Sequence, residues 1–267
     1  EPGNLLLRGG VRVARQEMPA KEPHIQCGPG DVAPVVLLPG DPGRIDWIAR
    51  ELEEVEEVAS NREFRTITGR CLGVPVSAAS TGIGGASTAI AVEELIRIGA
   101  RILVRVGSAG ALQPGMPIGS LVVAEGAVRE DGASGMYVPA GYPAVADPEL
   151  AVALAQAARE LGVPVRSGLV RSHDSFYTDR EEELTRSWAA RGVLASDMET
   201  AALFTVARLR GVRAGSILNV VVTAEGELEE GINRLVASEE AAAAGQRASI
   251  QAALRGACRL WLEEKQR

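Results

Sequence analysis

The stretch ILVRVGSAG at residues 102–110 joins an apolar run to a glycine-rich segment, and this combination indicates the fold class. The run 102–106 predicts a strand that is buried on both faces, and Gly107 and Gly110 predict a tight turn after it. The same order of apolar run and glycine-rich turn recurs at residues 35–44 and 74–87. Repeated strands of this kind, separated by amphipathic segments, are typical of an α/β protein with a mainly parallel sheet.

Six apolar runs are predicted to be strands: 35–38, 74–79, 102–106, 121–124, 165–170 and 216–222. In one of the helical segments between them, Ala91, Leu95 and Ile98 share a face, while Glu93 and Glu94 are expected to point away from it. Neither a linker nor an internal repeat divides the chain. We therefore expect an N-terminal tail at residues 1–22 and a single domain at residues 23–267.

Composition excludes several partners. The 267 residues carry 28 Lys and Arg against 35 Asp and Glu, and the resulting net charge of −7 disfavours binding to nucleic acid or to an anionic membrane. No apolar stretch approaches the roughly 20 residues that span a bilayer. Three cysteines without CxxC spacing and only two histidines predict a cytoplasmic protein, in a reducing compartment, without a structural metal.

Arginines accompany the glycine-rich turns at residues 39–44, 81–87 and 105–110. In open α/β sheets, ligands gather beyond the carboxyl ends of the strands, where glycine lets backbone N–H groups approach an anion. Arg44, Arg62 and Arg105 add guanidinium groups, whose donor geometry matches phosphate oxygens. The sequence lacks GxGxxG, GxxxxGK[ST] and GxSxG motifs, so dinucleotide, P-loop and α/β-hydrolase sites are disfavoured.

Each of these residues also has a structural interpretation. Arg105 lies inside an apolar strand and therefore needs an anionic partner, which can be a buried carboxylate as well as a bound phosphate. Ser196 and Glu199 fit a capping box at the start of a helix, whereas a binding role would make Glu199 an acceptor for two sugar hydroxyls. Arg44, Arg62 and His24 can equally be ordinary surface residues.

Seven motifs keep a fixed order along the chain: His24, PGDPGR at 39–44, SNREF at 60–64, STGIGGAS at 80–87, RVGSAGAL at 105–112, SHDSFY at 172–177 and SDMET at 196–200. Together they resemble the nucleoside phosphorylase family of purine and uridine phosphorylases. The resemblance implies a three-layer α/β/α sandwich with a mixed, mainly parallel, barrel-like central sheet. It also implies a homo-hexamer, built as a trimer of dimers with shared active sites.

The same resemblance implies roles for the motif residues. Phosphate, the co-substrate, would be bound by Gly40, Arg44, Arg105 and Ser108, and by Arg62 of a neighbouring subunit. Ribose would be bound by Met198 and Glu199, and by His24 of a neighbouring subunit. The catalytic residues would be Arg44, Arg105 and Glu199. A potassium site would be formed by Glu63, Ile83 and Ser87, and no other cofactor is expected.

The base-binding residues implied by the resemblance are Phe176, Arg180, Glu182 and Val222. Uridine phosphorylases carry Gln and Arg where this chain has Arg180 and Glu182, which either preserve a donor and an acceptor in exchanged places or lie exposed at a helix start. Hexameric purine enzymes carry Asp where Val222 aligns, although a shift of a few residues would bring in Glu225. Uridine is the predicted substrate. Purine nucleosides or methylthioadenosine, a phosphate-independent nucleosidase and a non-catalytic nucleoside-binding protein are the alternatives.

Overall fold

A computed structural model describes residues 21–226 and 240–266. Nearly all of the predicted N-terminal tail lies outside the described residues. The strands are β1 (Val35–Pro39), β2 (Glu53–Asn61), β3 (Phe64–Cys71), β4 (Val74–Ala79), β5 (Ile102–Ala111), β6 (Leu121–Glu130), β7 (Ala144–Val145), β8 (Val165–His173), β9 (Ala195–Asp197) and β10 (Arg213–Val222). The helices are α1 (Arg44–Ala49), α2 (Gly85–Arg97), α3 (Gly132–Tyr137), α4 (Pro148–Glu160), α5 (Glu181–Ala189), α6 (Thr200–Leu209) and α7 (Glu240–Gln266).

The strands form one mixed sheet that closes on itself. Its order is β10-β6-β8-β9-β5-β1-β4-β3-β2, and an additional pairing between β10 and β5 closes five of these strands into a barrel. The remaining strands β1, β4, β3 and β2 extend from β5 as an open wing, with β2 at its edge. The predicted mixed, barrel-like sheet is confirmed.

Parallel pairing is concentrated in two parts of the sheet. It joins β4, β1, β5 and β10 in one part and β6, β8 and β9 in the other. Antiparallel pairs join β2 to β3, β3 to β4, β6 to β7, β6 to β10 and β5 to β9. Antiparallel pairs are therefore as frequent as parallel ones among the described residues. The two longest pairings, β5 with β10 and β6 with β8, are parallel, so the predicted mixed, mainly parallel sheet is confirmed. Strands β2, β3, β7 and β9 were not predicted because they lack an apolar run.

Helices cover both faces of the sheet. Successive residues of a strand point to opposite sides, so Val36 and Leu38 join the core under α2 and α6, while Val35 and Leu37 join the core under α1, α4 and α7. This burial on both faces explains why the central strands are continuous apolar runs. The predicted three-layer arrangement is confirmed. Within the described residues, no helix is long and apolar enough to cross a bilayer.

The glycine-rich end of the quoted stretch differs from its prediction. Residues 107–110 continue β5 to Ala111 and do not form a turn. At Gly107 a Cβ would stand 2.6 Å from Nη2 of Arg105 and 2.8 Å from Leu218. This glycine therefore serves close packing of neighbouring groups, and it does not mark a turn.

Candidate active site

Two buried arginines approach the same short stretch of β5. Arg44 begins α1 and donates from Nη1 to the Val106 carbonyl (2.8 Å) and from Nη2 to the Ser108 hydroxyl (2.9 Å). The guanidinium of Arg105 fills the space where a Cβ of Gly107 would stand. Gly107 lies between Val106 and Ser108, the two residues that Arg44 contacts. The structure thus brings together Arg44, Arg105 and Ser108, three residues expected at a phosphate site. Their function as phosphate ligands stays a prediction.

The electrostatics around Arg44 favour an anion. Burial and the positive charge of Arg105 lower the pKa of Arg44 to about 10. Arg44 is therefore still charged at neutral pH, and it is held from a third side by Gln246 of α7, whose Oε1 accepts a hydrogen bond from Nε (3.1 Å). Like charges in a buried site repel one another, so an anion between the two guanidinium groups would relieve that repulsion.

Arg105 is paired with two buried carboxylates. Its Nε donates to Oδ2 of Asp197 (2.9 Å), and its Nη2 lies 2.5 Å from Oε2 of Glu199. Burial alone would lower the pKa of Arg105, but Glu199 and Asp197 raise it above its ordinary value. The prediction that this strand arginine has an anionic partner is confirmed, and the partner in the chain itself is a carboxylate pair.

Asp197 holds the start of α6. Its Oδ2 accepts hydrogen bonds from the Thr200 amide (3.0 Å) and the Thr200 hydroxyl (2.5 Å), and its Oδ1 accepts one from Ser172 (2.5 Å). These bonds engage both carboxylate oxygens in addition to the contact with Arg105. Asp197 therefore fixes the position of Arg105 rather than presenting an open carboxylate to a ligand.

Glu199 does not form the predicted capping box. Its Oε1 accepts from the Gly84 amide (2.7 Å), and no side-chain capping bond forms at the start of α6 through this residue. The capping-box interpretation is wrong because Glu199 turns away from the Ser196 amide toward Gly84 and Arg105. Burial raises the pKa of Glu199, against the opposing charge of Arg105. A buried carboxylate fixed at this place can accept hydrogen bonds from hydroxyl groups.

Arg105 retains unused donors toward the end of β1. Among the described residues its Nη1 makes no hydrogen bond, and it lies 3.9 Å from the point where a Cβ of Gly40 would stand. The two N–H groups of Nη1 are therefore available to a ligand. Since Gly40 has no side chain, the space in front of Nη1 stays open, and its chemistry suits an anion that has several oxygens.

We expect inorganic phosphate to raise the melting temperature of the protein. At about 100 times its Kd, a ligand that binds only the folded state adds about 2.7 kcal/mol to the free energy of unfolding. The measurement is thermal unfolding with phosphate against sodium chloride of equal ionic strength. Arg44→Met should abolish the phosphate-dependent part of the shift, and an equal shift in wild type and variant would contradict the site.

A second group of predicted residues lies at the turn between β2 and β3. Arg62 is exposed there with a φ of 55°. Oε1 of Glu63 accepts a hydrogen bond from the Ser87 hydroxyl (2.7 Å), and this bond is the main cause that lowers the pKa of Glu63. Ile83 is 77% exposed. Within the described part of this single chain, Arg62 makes no hydrogen bond or ion pair with the Arg105 cluster.

His24 lies beside this turn. Its Nδ1 is 2.5 Å from Oε1 of Glu94, and its ring meets Phe64 edge-on at 6.4 Å between centroids. The expectation that Glu94 points away from the buried face of α2 is wrong: it is 4% exposed and accepts hydrogen bonds from the amides of His24 and Ile25. These two amides have no backbone acceptor in the part of the chain that the structure describes, and the carboxylate of Glu94 on α2 accepts their hydrogen bonds.

The predicted base-binding residues divide into two sets. Phe176 is half-buried and stacks edge-on with Tyr177, and Val222 is buried at the end of β10. The side chains of Arg180 and Glu182 are exposed around the start of α5, where they pair with Glu183 and Arg186 respectively. This agrees with the alternative that they are surface residues. Glu225 is exposed beyond the end of β10.

Comparison with known proteins agrees with this geometry. A family profile described as "Phosphorylase superfamily" matches residues 34–255, which is most of the chain. The chain belongs to the phosphorylase superfamily. This superfamily member is 47% identical over 232 residues to a uridine phosphorylase of Thermococcus kodakarensis, covering 81% of this chain and 84% of the relative.

Two further relatives add to the comparison. A guanosine phosphorylase of Halorubrum lacusprofundi is 42% identical to this superfamily member and is matched over 75% of this chain and 83% of its own length. A crystal structure of uridine phosphorylase from Vibrio fischeri superposes with a TM-score of 0.85 at 43% identity, covering 91% of this chain and 99% of that chain.

The sequence analysis did not identify some residues of the candidate site. Asp197 stands inside the SDMET motif, and the need of Arg105 for a carboxylate could have pointed to it. Gln246 gives no such signal, because it is 202 residues from Arg44 along the chain. The Gly84 amide is a backbone donor, so its contact with Glu199 depends on the fold and not on a side chain.

Proposed function

We propose that this protein is a nucleoside phosphorylase that cleaves uridine reversibly with inorganic phosphate, giving uracil and α-ribose 1-phosphate. The observation that carries the proposal is that the buried guanidinium groups of Arg44 and Arg105 both approach residues 106–108 of β5, with Nη1 of Arg105 left unused toward Gly40. A nucleosidase that uses water has no comparable need for two buried cations. The uridine phosphorylases among its relatives support uridine as the substrate.

In this mechanism the two arginines hold the nucleophile. Phosphate lies between Arg44, Arg105, Ser108 and Gly40, directly beneath the sugar, so its attack becomes effectively unimolecular. The bond between C1′ and the base nitrogen breaks through a transition state with oxocarbenium character, and its electron pair leaves with the base. The negative charge of phosphate stabilises the cationic sugar, and a phosphate oxygen then donates a lone pair to C1′ to form the new C1′–O bond with inversion.

Glu199 orients the sugar in the same mechanism. One oxygen is fixed by the Gly84 amide and the other by Arg105, so its remaining lone pairs point in defined directions. They accept the ribose hydroxyls, with Met198 packing beside the sugar. Because Arg105 contacts Glu199 and faces the phosphate position, it couples the placement of the two substrates.

We also propose that His24 and Arg62 act in the site of a neighbouring subunit, in a trimer of dimers. Both lie near the turn between β2 and β3, apart from the Arg105 cluster of their own chain. Exposed Arg62 is free to reach a phosphate bound elsewhere, and the partly exposed ring of His24 is free to reach a ribose hydroxyl.

A potassium ion fits the residues that would hold it. The lowered pKa of Glu63 keeps this carboxylate ionised, and the Ser87 hydroxyl is already within 2.7 Å of it. With the Ile83 carbonyl these residues form an all-oxygen donor set, which suits a hard cation. The ion would balance the charge of Glu63. No other cofactor is part of the proposal.

A purine nucleoside is the second candidate substrate, because a guanosine phosphorylase is among the relatives. The exposure of Arg180 and Glu182 also removes the residues expected to read uracil. The cytoplasmic location expected from cysteine usage remains a prediction.

The decisive experiment measures base release from uridine, thymidine, inosine, guanosine, adenosine and methylthioadenosine, with and without phosphate. We expect uridine cleavage only when phosphate is present, with α-ribose 1-phosphate as the sugar product. Base release at the same rate without phosphate would identify a nucleosidase. Calorimetric binding of a nucleoside without turnover of any of the six would identify a binding protein.

A further inference from the structure

The register of the sheet places four residues in one row across the barrel. Arg171 of β8 pairs with Ser196 of β9, Ser196 pairs with Gly110 of β5, and Gly110 pairs with Val222 of β10. Residues directly opposite one another in neighbouring strands have their side chains on the same face. Accordingly, a Cβ built on Gly110 would stand 3.9 Å from Cβ of Val222.

This face of the row is open in the middle. Ser108, Gly110 and Ser196 are partly exposed, while their strand neighbours Ala109 and Asp197 are buried. Ser196 and Val222 lie two strand spacings apart, about 9 to 10 Å, and Gly110 between them has no side chain. The three residues therefore enclose a slot wide enough for one six-membered ring.

The two ends of the slot differ in chemistry. Val222 forms an apolar end. At the other end, the Ser196 hydroxyl oxygen is buried and makes no hydrogen bond with any described residue. Beyond it lies Arg171, a fully buried guanidinium that donates to Glu130 (2.5 Å) and Glu181 (3.0 Å) and leaves its Nη2 without a hydrogen bond among the described residues.

The slot is also at the correct distance from the arginine pair. Gly110 follows Ser108, the hydroxyl that Arg44 contacts, by two residues on the same face of β5. Two residues of a strand span about 7 Å. A sugar whose C1′ lies between these positions would have phosphate on the Ser108 side and its base over Gly110.

We propose that Ser196 and Arg171 form the polar end of a pyrimidine slot, with Gly110 as its floor and Val222 as its apolar end. Uracil has one edge made of two carbonyls and a ring N–H, and an opposite edge of two C–H groups. A hydroxyl both donates and accepts, and the free Nη2 of Arg171 donates, so the polar edge fits toward Ser196 and the C–H edge toward Val222. These residues take the place of the exposed Arg180 and Glu182 in reading the base.

The inference rests on the proposed function for the position of the sugar, but it can be tested without turnover. The probes are uracil and inorganic phosphate, and the measurement is calorimetric binding to each in wild type, Ser196→Ala and Ser167→Ala. Ser167 is an exposed serine of β8 and serves as the matched control. Ser196→Ala should weaken uracil binding about 3- to 10-fold, as expected for one neutral hydrogen bond, with phosphate binding unchanged.

Gly110→Ala is the second variant. The added Cβ meets only an ordinary van der Waals contact at 3.9 Å, so the fold should keep its melting temperature. The methyl group occupies the floor of the slot, and uracil binding should fall at least about tenfold. Wild-type uracil affinity in both variants, or a wild type that binds guanine and not uracil, would overturn the inference. Uracil binding by a wild type that does not cleave uridine would reject the proposed function alone.

Discussion

Replacing Arg105 with methionine is expected to lower kcat/KM for phosphorolysis by at least about 100-fold. Arg105 faces the expected phosphate position with Nη1 and holds Glu199 with Nη2, so the variant loses contacts to both substrates. Each charge-assisted hydrogen bond contributes roughly 1.5 to 3 kcal/mol, and each 1.36 kcal/mol is tenfold in rate. The measurement is steady-state kinetics with nucleoside and phosphate varied in turn.

The same change also affects stability, so the loss of activity must be separated from unfolding. Arg105→Met leaves Asp197 and Glu199 as unpaired buried carboxylates, which costs about 3 to 5 kcal/mol. Arg105→Lys keeps a positive charge beside both carboxylates and should recover most of the stability. Its activity should stay at least tenfold low, because an ammonium group cannot reproduce the guanidinium fork.

Arg166→Met, at an exposed arginine of β8, is the matched control and should leave kinetics unchanged. A folded Arg105→Lys variant with wild-type kinetics for both substrates would remove Arg105 from the site. Unchanged KM for phosphate with a raised KM for nucleoside would assign Arg105 to positioning Glu199 alone.

The sequence predicted the central layer of the fold well and its edges poorly. Buried strands such as β1 and β4 can be recognised in the sequence as apolar runs, because both of their faces are covered. By contrast β2 reads Glu-Glu-Val-Glu-Glu and is mostly exposed at the edge of the sheet, so its pairing with β3 has no apolar signal. The predicted end of β5 was wrong for another reason: Gly107 and Gly110 suggested a turn where the strand continues to Ala111.

Contacts in the candidate site could be predicted where a buried charged residue needs an oppositely charged partner. A buried arginine requires an anion, and this rule anticipated the carboxylates around Arg105. It could not choose between Asp197 and Glu199, nor show that both take part, because their geometry is set by how β9 and α6 meet β5. Contacts such as Arg44 with Gln246 depend on packing across the whole chain, and no local pattern encodes them.

Glu199→Gln is expected to lower kcat/KM for the nucleoside by about 100-fold, and it should also lower the melting temperature because it removes one charge of a buried ion pair. The amide oxygen of glutamine can still accept from Gly84, but its amide nitrogen then faces the N–H donors of Arg105 and Met198. The negative charge that pairs with Arg105 and attracts two sugar hydroxyls is lost. Two charge-assisted contacts weakened in this way correspond to roughly 3 kcal/mol of binding in the transition state.

A residue that only caps a helix should affect stability and leave the kinetics unchanged, and this chain offers an example. Asp147 caps α4 by accepting from the Leu150 amide (3.0 Å), on a helix that does not contribute to the Arg105 cluster. Asp147 also pairs with Arg213 (2.9 Å), so Asp147→Ala should cost about 1 kcal/mol for the lost cap, together with the loss of this ion pair, with unchanged kinetics. If Glu199→Gln lowers the melting temperature but leaves kcat/KM intact, Glu199 is a structural residue. The sugar would then have to be oriented by groups other than this carboxylate, since Asp197 already has its oxygens occupied by Thr200, Ser172 and Arg105.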